Sequence, residues 1–302
     1  MKQYEIIDFH THPFSDIATN ICLHQEYLDM STDATTKYLK EVGISKICGS
    51  VLCRNIPNIS HYNNAWEMIA ESNNRALELQ KYYNGFYIPG FHVHPDYVTE
   101  SCEEIERMHK LGVHLIGELV PYMHEWHDYS CKAFDEIIDV ASQYEMIISF
   151  HSMDNDKMDK MVLKHPKTIF VAAHPGEYED FIRHLDRMKI SDNYYLDLSG
   201  TGLFRHGMLR HGIDKFGAER FIFGSDYPVC NPSMFIGGVS LDTLLSDEEK
   251  SLILAGNAKR LLKFNYYLKR GEIHLAFAIH WSKSAVFHQK LFLKNRPKDQ
   301  YL

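Results

Sequence analysis

A chain of 302 residues, 45% hydrophobic and 24% charged, is long enough to bury one sizeable core and ordinary in make-up for a globular protein. Its formal net charge of −8 argues against broad binding of nucleic acid through phosphates. No apolar run approaches the roughly 18–20 residues that span a bilayer, and Asp8 and His10 interrupt the only amino-terminal stretch that resembles a signal peptide. The six cysteines (Cys22, Cys48, Cys53, Cys102, Cys131, Cys230) form no C-x-x-C pair. Several fall inside predicted elements, which suits buried thiols in a reducing compartment, so the expected location is cytoplasmic.

In chain order, Tyr4–Pro13 reads as an apolar strand ending in His10 and His12, which share one face because side chains alternate along a strand. Ser15–Asp33 reads as a loop, Ala34–Val42 as a helix closed by Gly43, and Ile44–Leu52 as a second strand. Asn64–Tyr83 has helical periodicity, Gly85–Val93 is strand three, and Thr99–Leu111 is a helix with acidic residues in its first turns. Val113–Leu119 is strand four, Cys131–Tyr144 a helix capped by Ser130, Met146–Phe150 strand five and Asp154–Leu163 a helix. Thr168–Ala173, Glu177–Met188, Tyr194–Leu198, His206–Phe216 and Arg220–Phe223 continue the alternation to strand eight. Ser246–Leu254 and Ala258–Lys263 complete the helices.

Apolar strands without polar alternation imply a sheet buried on both faces. Eight of them, alternating with helices over about 260 residues, predict a (β/α)8 TIM barrel, regular or distorted. A doubly wound open sheet fits less well, because no Gly-rich fingerprint follows the first strand. Residues 1–263 are expected to form the barrel. Residues 264–302 carry seven Lys or Arg against Glu272 and Asp299, so this basic, aromatic-rich extension breaks the acidic balance of the rest. Packing outside the barrel, joining subunits of a homo-oligomer and poor order are the three expectations for it.

The 19 histidines matter through where they stand. Strand one ends in His10 and His12, strand four in Glu118, strand five in His151, strand six in His174 and strand eight in Asp226. In a barrel these ends converge on one rim, where active sites of the fold are built. Six metal-type side chains on five strand ends point to a metal centre.

With His10-Thr11-His12-Pro13, His151, His174-Pro175-Gly176 and Gly224-Ser225-Asp226-Tyr227-Pro228, the chain resembles the amidohydrolase superfamily, in its branch of amidohydrolase-related, metal-dependent TIM-barrel hydrolases and decarboxylases. Gly256-Asn257-Ala258-Lys259-Arg260-Leu261 resembles that family's closing helix, and the resemblance spans about residues 4–263. It implies that His10, His12, His151 and Asp226 bind a divalent metal, most often zinc, with manganese or iron able to accept the same ligands. His174 corresponds to a second-metal ligand or to a general acid/base. Two-metal relatives bridge the ions with a carboxylated lysine or a glutamate in strand four, where this chain has Glu118. Metal lowers the pKa of a bound water to about 7; Asp226 would take its proton.

Other residues are candidate substrate contacts. His92 and His94 form a second H-x-H on strand three, which supplies no ligands in the family and so more naturally lines the pocket. Tyr122 and His124 lie in the loop after Glu118, and Arg54 and Arg205 fall just past strands two and seven, where either could clamp a carboxylate. The expected function is a metal-dependent hydrolase acting on a C–O or C–N bond of a small molecule such as a lactone, ester or amide. A one-metal decarboxylase or hydratase, a TatD-like nuclease, a PHP-type phosphoesterase and a non-catalytic metal-binding protein are the competing readings; acidic charge and the Gly-Ser-Asp-Tyr-Pro context weigh against the nuclease.

Overall fold

The computed structural model describes residues 3–12, 31–52, 64–83, 85–202 and 205–263. Arg54 and the 264–302 extension lie outside the described residues, and the fold is that of the unit Met1–Leu262. Eight strands form one sheet in the order β1-β2-β3-β4-β5-β6-β7-β8: β1 Ile6–Asp8, β2 Ile44–Ser50, β3 Tyr87–Phe91, β4 Leu115–Leu119, β5 Ile147–His151, β6 Ile169–Ala173, β7 Tyr194–Asp197 and β8 Phe221–Ile222. Every neighbouring pair is parallel. The ends meet just beyond the first and last strands. Phe9 N–H donates to Phe223 O at 2.9 Å, Asp226 N–H to His10 O at 2.8 Å, and Thr11 bridges Tyr227. The chain is a TIM barrel.

Helices α1 Thr32–Glu41, α2 Ala65–Tyr82, α3 Val98–Lys110, α4 Lys132–Gln143, α5 Asn155–Lys164, α6 Tyr178–Ile190 and α7 Met208–Phe216 alternate with the strands. Each buries a stripe: α4 presents Phe134, Ile137, Ile138 and Ala141, at helical spacing, to the interior. The Phe and Ile side chains contribute about 1.5–3 kcal/mol each when fully buried. The strand-to-helix loops stop where a polar side chain caps the coming helix: Ser31, Asn64 and Asp154 accept first-turn N–H groups of α1, α2 and α5. Ser130 does not cap α4; its hydroxyl donates to Asp128, and Cys131 stands at the cap position without a side-chain bond.

Sequence periodicity also missed one helix, α8 Pro232–Ser240, whose start is an Asn231 cap followed by proline. The final helical stretch is continuous: α9 Asp247–Ser251 opens on a Ser246–Glu249 capping box, passes through a π-turn at Leu252–Gly256 and ends in α10 Asn257–Leu261. Asn257, fully buried, donates to the carbonyls of Ala218 and Phe221 at 2.8 Å each and so pins the entry to β8. No helix among the described residues is long and apolar enough to cross a membrane. Cys48, Cys102, Cys131 and Cys230 are free thiols.

Candidate metal centre

The barrel brings His10, His12, Glu118, His151, His174 and Asp226 to one end of the sheet. Glu118 lies within β4, His151 closes β5, His174 follows β6 directly, and His10, His12 and Asp226 sit on the segments that close the barrel past β1 and β8. His174 and Asp226 have φ of 69° and 60°, a left-handed conformation that costs a non-glycine residue on the order of 1 kcal/mol or more. Strain of this kind gathers at functional sites.

Glu118 divides the donors into two groups. Its Oε2 lies 3.0 Å from both His10 Nε2 and His12 Nε2, which are 3.3 Å apart. Asp226 Oδ1 stands 3.6 Å from His10 Nε2 and 3.5 Å from His12 Nε2. A tetrahedral ion with ligand bonds of about 2.1 Å requires donor atoms about 3.4 Å apart; the His10, His12 and Glu118 atoms could hold one divalent cation, and Asp226 Oδ1 faces the same two histidines. The other carboxylate oxygen, Oε1, lies 3.0 Å from His151 Nδ1 and 3.8 Å from His174 Nε2, a second group that could hold a second cation. His10 Nδ1 meets Asp197 Oδ2 at 2.9 Å and donates to it, which leaves the Nε2 lone pair facing the oxygens of Glu118 and Asp226. Acceptors that converge in this way require a cation or a proton between them.

The electrostatics agree. Burial opposes charge on His10, yet Glu118 and Asp197 together outweigh it and hold its pKa well above the ordinary value. Glu118, against its own burial, is drawn well below the carboxylate range by His10, His12 and His151. His151 is raised, burial losing to Glu118, whereas burial prevails at His174 and lowers it. Asp226 is raised by burial, with His10, His12 and His174 offsetting part of the effect.

Several residues around this centre were given no role by the sequence reading. Asp197, at the end of β7, and Ser199 contact His10, and Ser199 Oγ also lies 3.1 Å from His174 Nδ1. Asp8 accepts the Ser225 N–H at 2.9 Å and its hydroxyl at 2.5 Å, tying the first strand to the loop that carries Asp226; burial lifts its pKa to about 7. Asp-Leu-Ser-Gly at the end of strand seven was the one local signal for the first pair. Gly200, with φ of 64°, packs so closely on His174 that a Cβ would lie 2.2 Å from the ring Nδ1.

The candidate substrate contacts separate. His92 donates from Nε2 to Val51 O at 3.1 Å, and its Nδ1 is buried without a hydrogen-bond partner among the described residues. Burial lowers the His92 pKa to about 4. His94 accepts the Asp96 N–H at Nδ1 (3.1 Å) and donates from Nε2 to His124 O (2.8 Å), so both its ring nitrogens serve the main chain. His124 is buried with its ring edge-on to His92, 4.8 Å between centroids. Tyr122 is half exposed with its ring 5.4 Å from that of His151, at the mouth of the centre. Arg205 is exposed and donates from Nε to Glu177 Oε2 at 2.9 Å. A cavity of about 200 Å³ adjoins the second donor group, lined by His151, Ser152, Asn155, His174, His184 and Thr201 among others. No Lys or Arg lines it among the described residues.

The imidazoles and carboxylates gathered beyond the strands of this parallel barrel could hold a metal ion. The amidohydrolase family profile matches residues 7–264, and the chain belongs to that family. No curated protein matches the sequence. Among solved structures, the chain is similar to 2,6-dihydroxybenzoate decarboxylase from Rhizobium, at 14% identity and a TM-score of 0.65, covering 87% of this chain and 99% of that one. It is similar to a dihydroxybenzoic acid decarboxylase from Polaromonas sp. JS666, with bound manganese and the inhibitor 2-nitroresorcinol, at 15% identity and a TM-score of 0.61, covering 87% and 98%. An amidohydrolase II structure matches at 14% identity and a TM-score of 0.65, covering 86% of this chain and 100% of the other. At these identities the likeness establishes the fold.

Proposed function

We propose that this protein is a metal-dependent hydrolase that holds two divalent cations on His10, His12, Glu118, His151, His174 and Asp226 and hydrolyses a C–O or C–N bond of a small-molecule lactone, ester or amide. The observation that carries the reading is the division of Glu118: one oxygen faces His10 and His12, the other His151 and His174. Zinc suits this mixture of imidazole and carboxylate, and manganese or iron would accept it too. A divalent cation bound there would lower the pKa of a water and polarise the substrate's carbonyl oxygen.

The chain's own residues supply the rest. Asp226, almost fully buried and with a raised pKa, suits a base that takes the proton of the attacking water at a carboxylate oxygen and returns it to the leaving atom. Tyr122, beside His151, and the cavity walls of Ser152 and Asn155 are placed to orient a polar substrate. A panel of lactones, esters and amides, assayed with zinc or manganese added, tests the reading. Turnover that disappears on chelation and returns with metal is expected. No hydrolysis across the panel by metal-loaded protein would overturn it.

One observation favours a second reading. His174 Nε2 stands 3.8 Å from Glu118, the longest spacing in the set, as would suit a one-cation enzyme in which His174 serves as acid/base for decarboxylation. One metal equivalent per chain, unchanged in Glu118→Gln, would favour it.

A further inference from the structure

We propose that Asp197 and Ser199 act as one positioning unit that fixes the ring orientation and the Nδ1–H tautomer of two histidines at once, His10 and His174, and thereby couples the two halves of the centre. The inference rests on the cation-binding reading above. Ser199 Oγ lies 2.9 Å from His10 Nδ1 and 3.1 Å from His174 Nδ1, and its hydroxyl donates to Asp197 Oδ1. Asp197 Oδ1 also accepts the Ser199 backbone N–H at 2.9 Å, while Oδ2 takes His10 Nδ1 at 2.9 Å.

The donor count settles the direction of each bond. An ionised carboxylate only accepts, so the single hydroxyl hydrogen of Ser199 goes to Asp197. The Ser199 oxygen then has only lone pairs to offer, and both imidazole Nδ1 atoms must carry hydrogens. In the neutral ring each Nε2 is then the lone-pair donor, turned toward Glu118. His10 has two acceptors for its Nδ1–H, whereas the hydroxyl of Ser199 is the one such partner of His174 Nδ1 among the described residues. All three polar side chains of the first relay are buried: His10 at 2% exposure, Asp197 and Ser199 at 0%. Water cannot readily replace the hydroxyl. The backbone of Gly200, pressed on the same ring, leaves His174 little room for another orientation.

Outer hydrogen bonds of this kind commonly change metal affinity by about 10–100-fold. The effect here is expected to be unequal. Ser199→Ala should weaken the second metal equivalent by about 10–100-fold and leave the first within a few-fold, because His10 keeps Asp197. Asp197→Asn should weaken both. Ser199→Thr, which keeps the hydroxyl, should restore the second equivalent.

The experiment is a zinc titration against a competing chelator, paired with ¹⁵N NMR of histidine-labelled full-length protein with and without zinc. In metal-free wild type the His174 signals should report Nδ1–H, and in Ser199→Ala that preference should be lost. A Ser199→Ala protein that binds both equivalents as wild type does, or whose His174 stays Nδ1–H, would overturn the proposal. So would equal loss of both equivalents in Ser199→Ala and Ser199→Thr. Wild type that binds no zinc would instead count against the cation-binding reading, and the metal-free tautomer of His174 would still decide this inference.

Discussion

Asp226 combines three features that pull in one direction: near-complete burial, a left-handed backbone, and an Oδ1 about equidistant from His10 and His12, at 3.6 and 3.5 Å. Replacing its carboxylate with a carboxamide removes the proposed proton acceptor while keeping the shape. Asp226→Asn is therefore expected to lower kcat by about 10²–10⁴-fold. Steady-state kinetics on whichever ester or lactone wild type hydrolyses checks this, and a variant within a few-fold of wild type would remove Asp226 from the chemistry. That these six side chains would come together was legible because each stands near or just past the end of a strand, and parallel strand ends meet on one rim. Asp197 and Ser199 were not, since what gives them meaning is contact with His10 across 187 and 189 residues of chain. His94 shows the converse. Its H-x-H spacing matches that of His10 and His12, but a 3-10 turn at Pro95–Tyr97 and the carbonyl of His124 take both its nitrogens.

At the scale of elements, the closing segment shows how a helix far from the rim holds the site together. Asn257 begins α10, and its side-chain amide reaches two carbonyls on either side of the start of β8. β8 is only two residues long, so its position depends on such ties. Asn257→Ala removes both buried hydrogen bonds, although Ala218 O keeps the Phe221 N–H, and is expected to cost on the order of 1–3 kcal/mol. Urea unfolding measures this directly; a loss below about 0.5 kcal/mol would show that the amide is dispensable. The alternation of strands and helices was readable from apolar runs broken by Gly and by capping residues. α8 was overlooked because it is short, mostly apolar and interrupted by Gly237 and Gly238, and its Asn231–Pro232 start was the only local mark. The α4 cap was misplaced by one residue because Ser130 spends its hydroxyl on Asp128.

For the whole molecule, the interior holds imidazoles that resist protonation. Burial lowers His92 to about 4, and burial together with the Arg187 guanidinium lowers His184 to about 3. The unfolded chain protonates these side chains near about 6.5. Below that value it binds protons that the folded state refuses, so their contribution to stability is complete above about pH 6.5 and falls as pH drops toward 3–4. Asp8, raised by burial to about 7, acts in the opposite sense: its contribution is complete below the ordinary carboxylate value and is lost as pH rises through 7. A comparison with His184→Gln isolates one group. The stability gap between wild type and variant should narrow between about pH 7 and about pH 4 in urea titrations, and a gap independent of pH would contradict the buried, neutral state of His184. Glu118 stands at the meeting point of two histidine pairs. The most direct test of whether it joins two cations is the metal content of purified wild type and Glu118→Gln after loading with zinc and exhaustive removal of free ion. Two equivalents per chain in wild type, falling to one or fewer in the variant, is the predicted result; one equivalent in both would contradict it.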